Sequence, residues 1–203
     1  MARGVDVDAR LESVRERARA CRNCPLWESA TQTVFGEGPV PAPLLLVGEQ
    51  PGDREDLEGH PFVGPAGRLL DRALVEAGLE REQAYVTNVV KHFKWRPGGG
   101  GAKRIHDKLD RGEIDACLPW FRLELELVQP RVLVCLGATA AQALLGREFR
   151  VSRARGVPVE SELAPVVMAT VHPSSVLRAG ERRDVELEGL VHDLRAVARA
   201  LPR

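Results

Sequence analysis

Four short runs in this chain are almost continuously apolar, and each runs into a turn or a polar residue. They are Pro43 to Gly48, Ala84 to Asn88, Arg131 to Leu136 and Val166 to Val171. Runs of this length, rich in Val and Leu and without polar alternation, describe strands covered on both faces, as in a parallel sheet. Between them lie segments with apolar residues at helical spacing and recognisable stops. Gly67 to Ala77 carries Leu69, Leu70, Ala73 and Leu74 and halts at Gly78; Glu113 to Val128 halts before Pro130; Ala138 to Leu145 halts at Gly146; Val185 to Ala200 forms a last helix. Strands alternating with helices require right-handed crossovers that place helices on both faces of the sheet. The expected fold is therefore α/β: one domain over 1–203, a three-layer α/β/α sandwich around a central, mainly parallel four-stranded sheet. Within it, 1–20 reads as an N-terminal helix and 94–112 as an inserted basic, Gly-rich loop.

In open sheets of this kind ligands bind beyond the carboxyl ends of the strands. The first run leads into Gly48-Glu49-Gln50-Pro51-Gly52, the second into Asn88-Val89-Val90-Lys91, the third into Gly137-Ala138-Thr139 and the fourth into His172-Pro173-Ser174-Ser175. Three of the four ends present polar or ionisable side chains next to residues that shape turns. Taken singly, G-E-Q-P-G is an ordinary strand-to-loop turn and H-P-S-S an ordinary helix start. Together they make one composite site.

Formal net charge is zero, so nucleic-acid binding requires a local patch. One stretch qualifies: Lys91, Lys94, Arg96, Lys103, Arg104, Lys108 and Arg111 stand against only Asp107 and Asp110, with Gly98 to Gly101 between them. This segment reads as a flexible basic loop. The opening residues are charged throughout and no window reaches the roughly eighteen apolar residues of a membrane span, so a cytoplasmic protein without membrane association is expected. In such a compartment the four cysteines, Cys21, Cys24, Cys117 and Cys135, point to metal or redox chemistry rather than disulfides. Cys21 and Cys24 form C-x-x-C, a bite suited to one metal centre. Cys135 lies inside the apolar run Val132 to Leu136 and behaves as a small buried hydrophobe.

Six strings occur in order: F-G-E-G-P (Phe35 to Pro39), L-L-L-V-G-E-Q-P-G, H-P-F-V-G-P-A-G (His60 to Gly67), Y-V-T-N-V-V-K (Tyr85 to Lys91), L-G-A-T-A (Leu136 to Ala140) and V-H-P-S-S (Val171 to Ser175). The series resembles the uracil-DNA glycosylase superfamily, iron-sulfur (family 4-like) branch, over most of the chain from Cys21 to Arg178. The resemblance implies that Phe62 stacks on an extruded uracil and that Asn88 reads its Watson-Crick edge, with Gly48 and backbone amides around Gln50 completing the pocket. It further implies that His172 donates toward uracil O2 as negative charge grows there, and that Ser174 and Ser175 hold DNA phosphate. Iron-sulfur members place one ligand directly after N-V-V-K, here His92. Cys21, Cys24, His92 and Cys117 are accordingly expected to bind a [4Fe-4S] cluster. Zinc on the same Cys3His set satisfies the spacing equally well, and only the resemblance favours iron.

The segment Lys103-Arg104-Ile105-His106 sits in an insertion that resembles the hallmark of the UdgX type, whose members end their reaction covalently bound to DNA. His106 is then the expected nucleophile at the sugar. Glu49 is expected to stabilise the cationic sugar or accept a proton from His106, and Lys103 and Arg104 to steer the loop to phosphate. The partner implied is uracil-containing DNA, single strands preferred, with the protein a monomer. Two other readings stand beside this one: an ordinary turnover uracil-DNA glycosylase that releases abasic DNA, and a non-catalytic iron-sulfur nucleic-acid-binding module.

Overall fold

The structure, a computed structural model, describes residues 2–99 and 104–201, and of residues 2–5 the backbone alone. In chain order the elements are α1 (Ala2–Arg19), α2 (Leu26–Ser29), β1 (Leu44–Gly48), α3 (Asp53–Glu58), α4 (Pro65–Glu76), β2 (Ala84–Asn88), β3 (Trp95–Pro97), β4 (Arg104–His106), α5 (Arg111–Val128), β5 (Val132–Leu136), α6 (Ala138–Leu145), α7 (Val151–Ala154), β6 (Val166–Thr170), α8 (Pro173–Leu177) and α9 (Arg183–Ala200). The four apolar runs form one sheet in the order β2-β1-β5-β6, every pair parallel.

Side chains alternate across this sheet into two cores. Leu45, Val47, Tyr85, Leu133, Cys135, Val167 and Ala169 pack with residues of α1, α5 and α6. Leu44, Leu46, Val86, Val132, Val134, Leu136 and Met168 pack with α4 and α9. With both faces covered, polar alternation has no use, which is why the strands read as unbroken apolar runs. The result is the three-layer α/β/α sandwich.

Helix starts are set by caps. α4 begins two residues before the expected Gly67 because Pro65 occupies its first turn, where a missing N–H costs nothing. At α5, Asp110 accepts the Glu113 N–H at 2.9 Å while Glu113 accepts the Asp110 N–H at 2.7 Å, a reciprocal cap that moves the start back to Arg111.

The inserted segment departs from its expected form. Its flanks are not open loop: β3 and β4 pair antiparallel, with Trp95 opposite His106 and Arg96 opposite Ile105. The tip, residues 100–103, lies outside the described residues, and Lys103 with it. Among the described residues no helix is long and apolar enough to cross a membrane.

Candidate active site

At the carboxyl ends of the strands a cavity of about 1010 Å³ opens, and Glu49, Gln50, Phe62, Asn88, His106, Gly137, His172, Ser174 and Ser175 all line it. Residues from four strand ends and from the inserted hairpin thus meet in one place. Arg104 does not line this cavity.

The cavity floor is built by close approach. A Cβ on Gly48 would collide with Asn88 Oδ1 and stand 2.8 Å from Phe62 Cζ, so only glycine lets these two side chains close over the end of β1. Phe62 sits in the left-handed backbone region at φ 58°, which is sparsely populated for an aromatic residue. Gly67 allows it, since a Cβ there would overlap the Phe62 carbonyl. Asn88 is 2% exposed, and its Oδ1 is buried with no hydrogen-bond partner. A buried amide oxygen left unpaired is costly, and such a group marks a place where a ligand donor fits.

His172 faces Phe62 with ring centroids 6.0 Å apart. Its Nδ1 accepts the Ser174 backbone N–H at 3.1 Å and lies 2.8 Å from the Ser174 hydroxyl. Two donors on Nδ1 put the proton of the neutral ring on Nε2. Burial, helped by the nearby positive charge of Arg178, pulls the His172 pKa down to about 4, so the ring is neutral at pH 7. The Ser175 N–H and hydroxyl both donate to the His172 carbonyl, at 2.8 and 2.7 Å. Both serines, expected to hold phosphate, therefore point their N–H and hydroxyl groups back at His172 and orient it.

His106 reaches the cavity from β4, with its ring 6.2 Å from that of Phe93. The hairpin is pinned at its base by Gln50, whose Oε1 accepts the Lys94 N–H at 2.6 Å and whose Nε2 donates to the Asp107 carbonyl at 2.8 Å. Arg104 adds a second anchor. It pairs with Asp53 and with the fully buried Asp56, both at 2.6 Å, and lies over the rings of Phe93 and Trp95. Rather than reaching for phosphate, Arg104 holds the strand that carries His106.

Other cations of the basic stretch are paired in the same way. Lys91 is 1% exposed and paired with Glu124, Lys94 pairs with Glu113 at 2.9 Å, and Arg111 pairs with Asp115 at 2.8 Å. With Arg104, four of its seven cations are neutralised internally. Asp53, Asp56, Glu113 and Glu124 were not legible as their partners because each lies elsewhere in the sequence. Arg178, another cation on the cavity wall, is signalled only by its place six residues after His172.

Three cysteines, Cys21, Cys24 and Cys117, lie within reach of one another's charge. Burial pushes Cys117 up to about 11, with charge at Cys24 and Cys21 adding to the rise, and burial also raises Cys24, where charge at Cys21 adds. Two N–H groups aim at sulfur: Lys91 N–H at Cys117 Sγ and Trp120 Nε1–H at Cys21 Sγ, both 3.2 Å. Such donors favour thiolates, as metal-bound sulfur requires. His92 is 5% exposed, held below its usual pKa by burial, and its Nε2 lies 3.0 Å from Thr33 Oγ1. Among the described residues no three Cys, His, Asp or Glu side chains stand close enough for one metal ion. Cys135, as expected, is fully buried in β5.

The Uracil DNA glycosylase superfamily profile matches residues 35–195. A Type-4 uracil-DNA glycosylase of Thermotoga maritima is 37% identical over 183 residues, 89% of this chain and 91% of that protein. Type-4 uracil-DNA glycosylases of Sulfurisphaera tokodaii and Archaeoglobus fulgidus are 36% and 38% identical, over 82% and 86% of this chain and 76% and 86% of their own lengths.

Proposed function

The chain belongs to the uracil DNA glycosylase superfamily, and we propose that it excises uracil from DNA and, with His106 on the wall of the same cavity, ends covalently attached through that residue to the abasic sugar it creates. The observation that carries the uracil reading is the buried, unpartnered Asn88 Oδ1 beside Phe62. Uracil offers an N3–H donor to that oxygen and a flat ring to Phe62, and these contacts offset the few kcal/mol that base flipping costs. Single-stranded substrate suits the site best, because an unpaired base has no pairing to lose.

As the N1–C1′ bond breaks, its electron pair leaves with uracil and negative charge gathers on O2. The Nε2–H of neutral His172 is the donor for that charge. Because its pKa lies far below neutrality, His172 acts by hydrogen bonding and keeps its proton. The sugar is left as an oxocarbenium ion. His106, lining the same cavity, supplies an imidazole lone pair to C1′ faster than water arrives, through proximity. A C–N bond forms, and the proton on the other ring nitrogen passes to Glu49 or to solvent.

In this reading Cys21, Cys24, Cys117 and His92 hold a [4Fe-4S] cluster. These residues would hold it where the end of α1, the segment after β2 and α5 meet, so its role there would be structural, bearing on the position of Asn88 rather than on bond breaking.

The test is direct: protein mixed with single-stranded DNA carrying one uracil should release free uracil, while thymine and cytosine strands release none. Absence of uracil release from a folded, iron-loaded preparation would overturn the reading.

A further inference from the structure

Lys91 and Glu124 form an ion pair that is 1% and 0% exposed; neither residue lines the cavity, and the chemistry above makes no use of the pair. Buried charges persist only where their hydrogen bonds are filled, and here each one is. Glu124 accepts from the Gly36 N–H at 2.9 Å, the Tyr85 hydroxyl at 3.0 Å, the Thr87 hydroxyl at 3.0 Å and the Lys91 ammonium. Lys91 Nζ also donates to Thr87 Oγ1 at 2.7 Å and to the Asn88 carbonyl at 2.6 Å.

The last contact joins this network to the site. Asn88 ends β2, and the chain beyond it leaves the ladder; Val89 and Val90 donate back to the Gly48 and Glu49 carbonyls at 2.9 and 3.0 Å. Lys91 folds over this bend and fills the Asn88 carbonyl, three residues behind it. Its own N–H bonds Cys117 Sγ and its carbonyl accepts the Val34 N–H at 2.8 Å, so its backbone is fixed on two sides. Cys117 and Glu124 lie two turns apart on α5 and hold Lys91 from its backbone and from its side chain. The bend that aims the Asn88 amide is therefore clamped to one helix.

We propose that the buried Lys91–Glu124 pair is a positioning device that fixes the Asn88 amide against the flipped base. This inference rests on the uracil reading above. An ion pair that served only the fold would be replaceable by a neutral pair of similar volume, since such swaps are often neutral or stabilising. A pair that positions Asn88 would leave the fold intact on the same swap and yet impair base reading.

The full chain with Lys91→Met and Glu124→Gln tests this. Gln keeps an acceptor for Gly36 and Tyr85, while the donor to the Asn88 carbonyl is lost. The expected outcome is a maximal single-turnover rate of uracil release at least tenfold lower and inhibition by free uracil at least tenfold weaker. Affinity for uracil-free single-stranded DNA, iron content and the unfolding midpoint should match the parent. Parental release and parental inhibition by uracil in the double variant would overturn the inference and leave the glycosylase reading standing; a parent that releases no uracil overturns both. Should the Met version not fold, Lys91→Gln with Glu124→Gln retains a polar partner whose side chain is one bond too short to fill the carbonyl. Failure of both to fold would assign the pair to the fold alone and overturn the proposal.

Discussion

The side-chain amide of Gln50 stands 2.8 Å from the carbonyl of Asp107, joining the end of β1 to the residue that follows His106. The same amide accepts the Lys94 N–H, so both legs of the hairpin are tied to the strand that forms the cavity floor. Removing it takes away two hydrogen bonds, each worth about 0.5–1.5 kcal/mol. Gln50→Ala should therefore lower the yield of covalent complex roughly tenfold while uracil release persists, because Phe62, Asn88 and His172 do not depend on the hairpin. Quantifying released uracil and SDS-resistant complex in the same reaction checks this. Equal loss of both would place Gln50 in the base pocket instead.

Asn88→Ala removes the amide that faces the base. Truncating a buried hydrogen-bonding group costs about 1–3 kcal/mol, so uracil release should slow by about ten- to a hundredfold, with affinity for uracil-free DNA unchanged. Release at the parental rate would show that the base binds elsewhere.

His172 sets a pH dependence with a definite sign. Its ring titrates near 6.5 when unfolded and at about 4 in the fold, so between those values the unfolded chain holds more protons. Its contribution therefore lowers stability as pH falls from 6.5 toward 4, by at most about 3 kcal/mol, and is level above pH 7. Unfolding midpoints at pH 7 and pH 5 should differ more for the parent than for His172→Gln. An NMR titration that finds the His172 ring protonating near 6.5 would refute the neutral-donor role.

The sheet was legible because burial on both faces leaves nothing but apolar residues in its strands. The strand ends were legible too, since parallel topology forces Glu49, Asn88 and His172 to one edge. The hairpin was not: three-residue strands beside a glycine run carry no alternation, and its pairing depends on Gln50, whose side chain reads as one more polar loop residue. Arg104 misled for a related reason. A cation in a basic loop signals phosphate, and only the folded chain brings up Asp56, 48 residues away, as its partner. Glu124 was invisible among the alternating acids of its helix, because the buried polar groups it satisfies come from two distant segments, Gly36 and Tyr85 to Lys91.

The cysteines divide by partner. With the proposed cluster bound, the purified parent should be brown and contain iron; Cys117→Ala should lose both, and Cys135→Ala should retain both, since Cys135 is enclosed in apolar β5. Iron and acid-labile sulfide analysis decides. A colourless, folded parent with stoichiometric zinc would contradict the cluster.

In the proposed reaction His106 captures the sugar. Incubated with uracil-containing single-stranded DNA, the parent should form a complex of one protein and one oligonucleotide that survives SDS and heat, and peptide mapping should place the sugar on His106. His106→Ser should lose that band yet release uracil with turnover, leaving alkali-labile abasic DNA. An adduct mapping to Glu49 or a lysine, or full cross-linking by His106→Ser, would contradict the assignment.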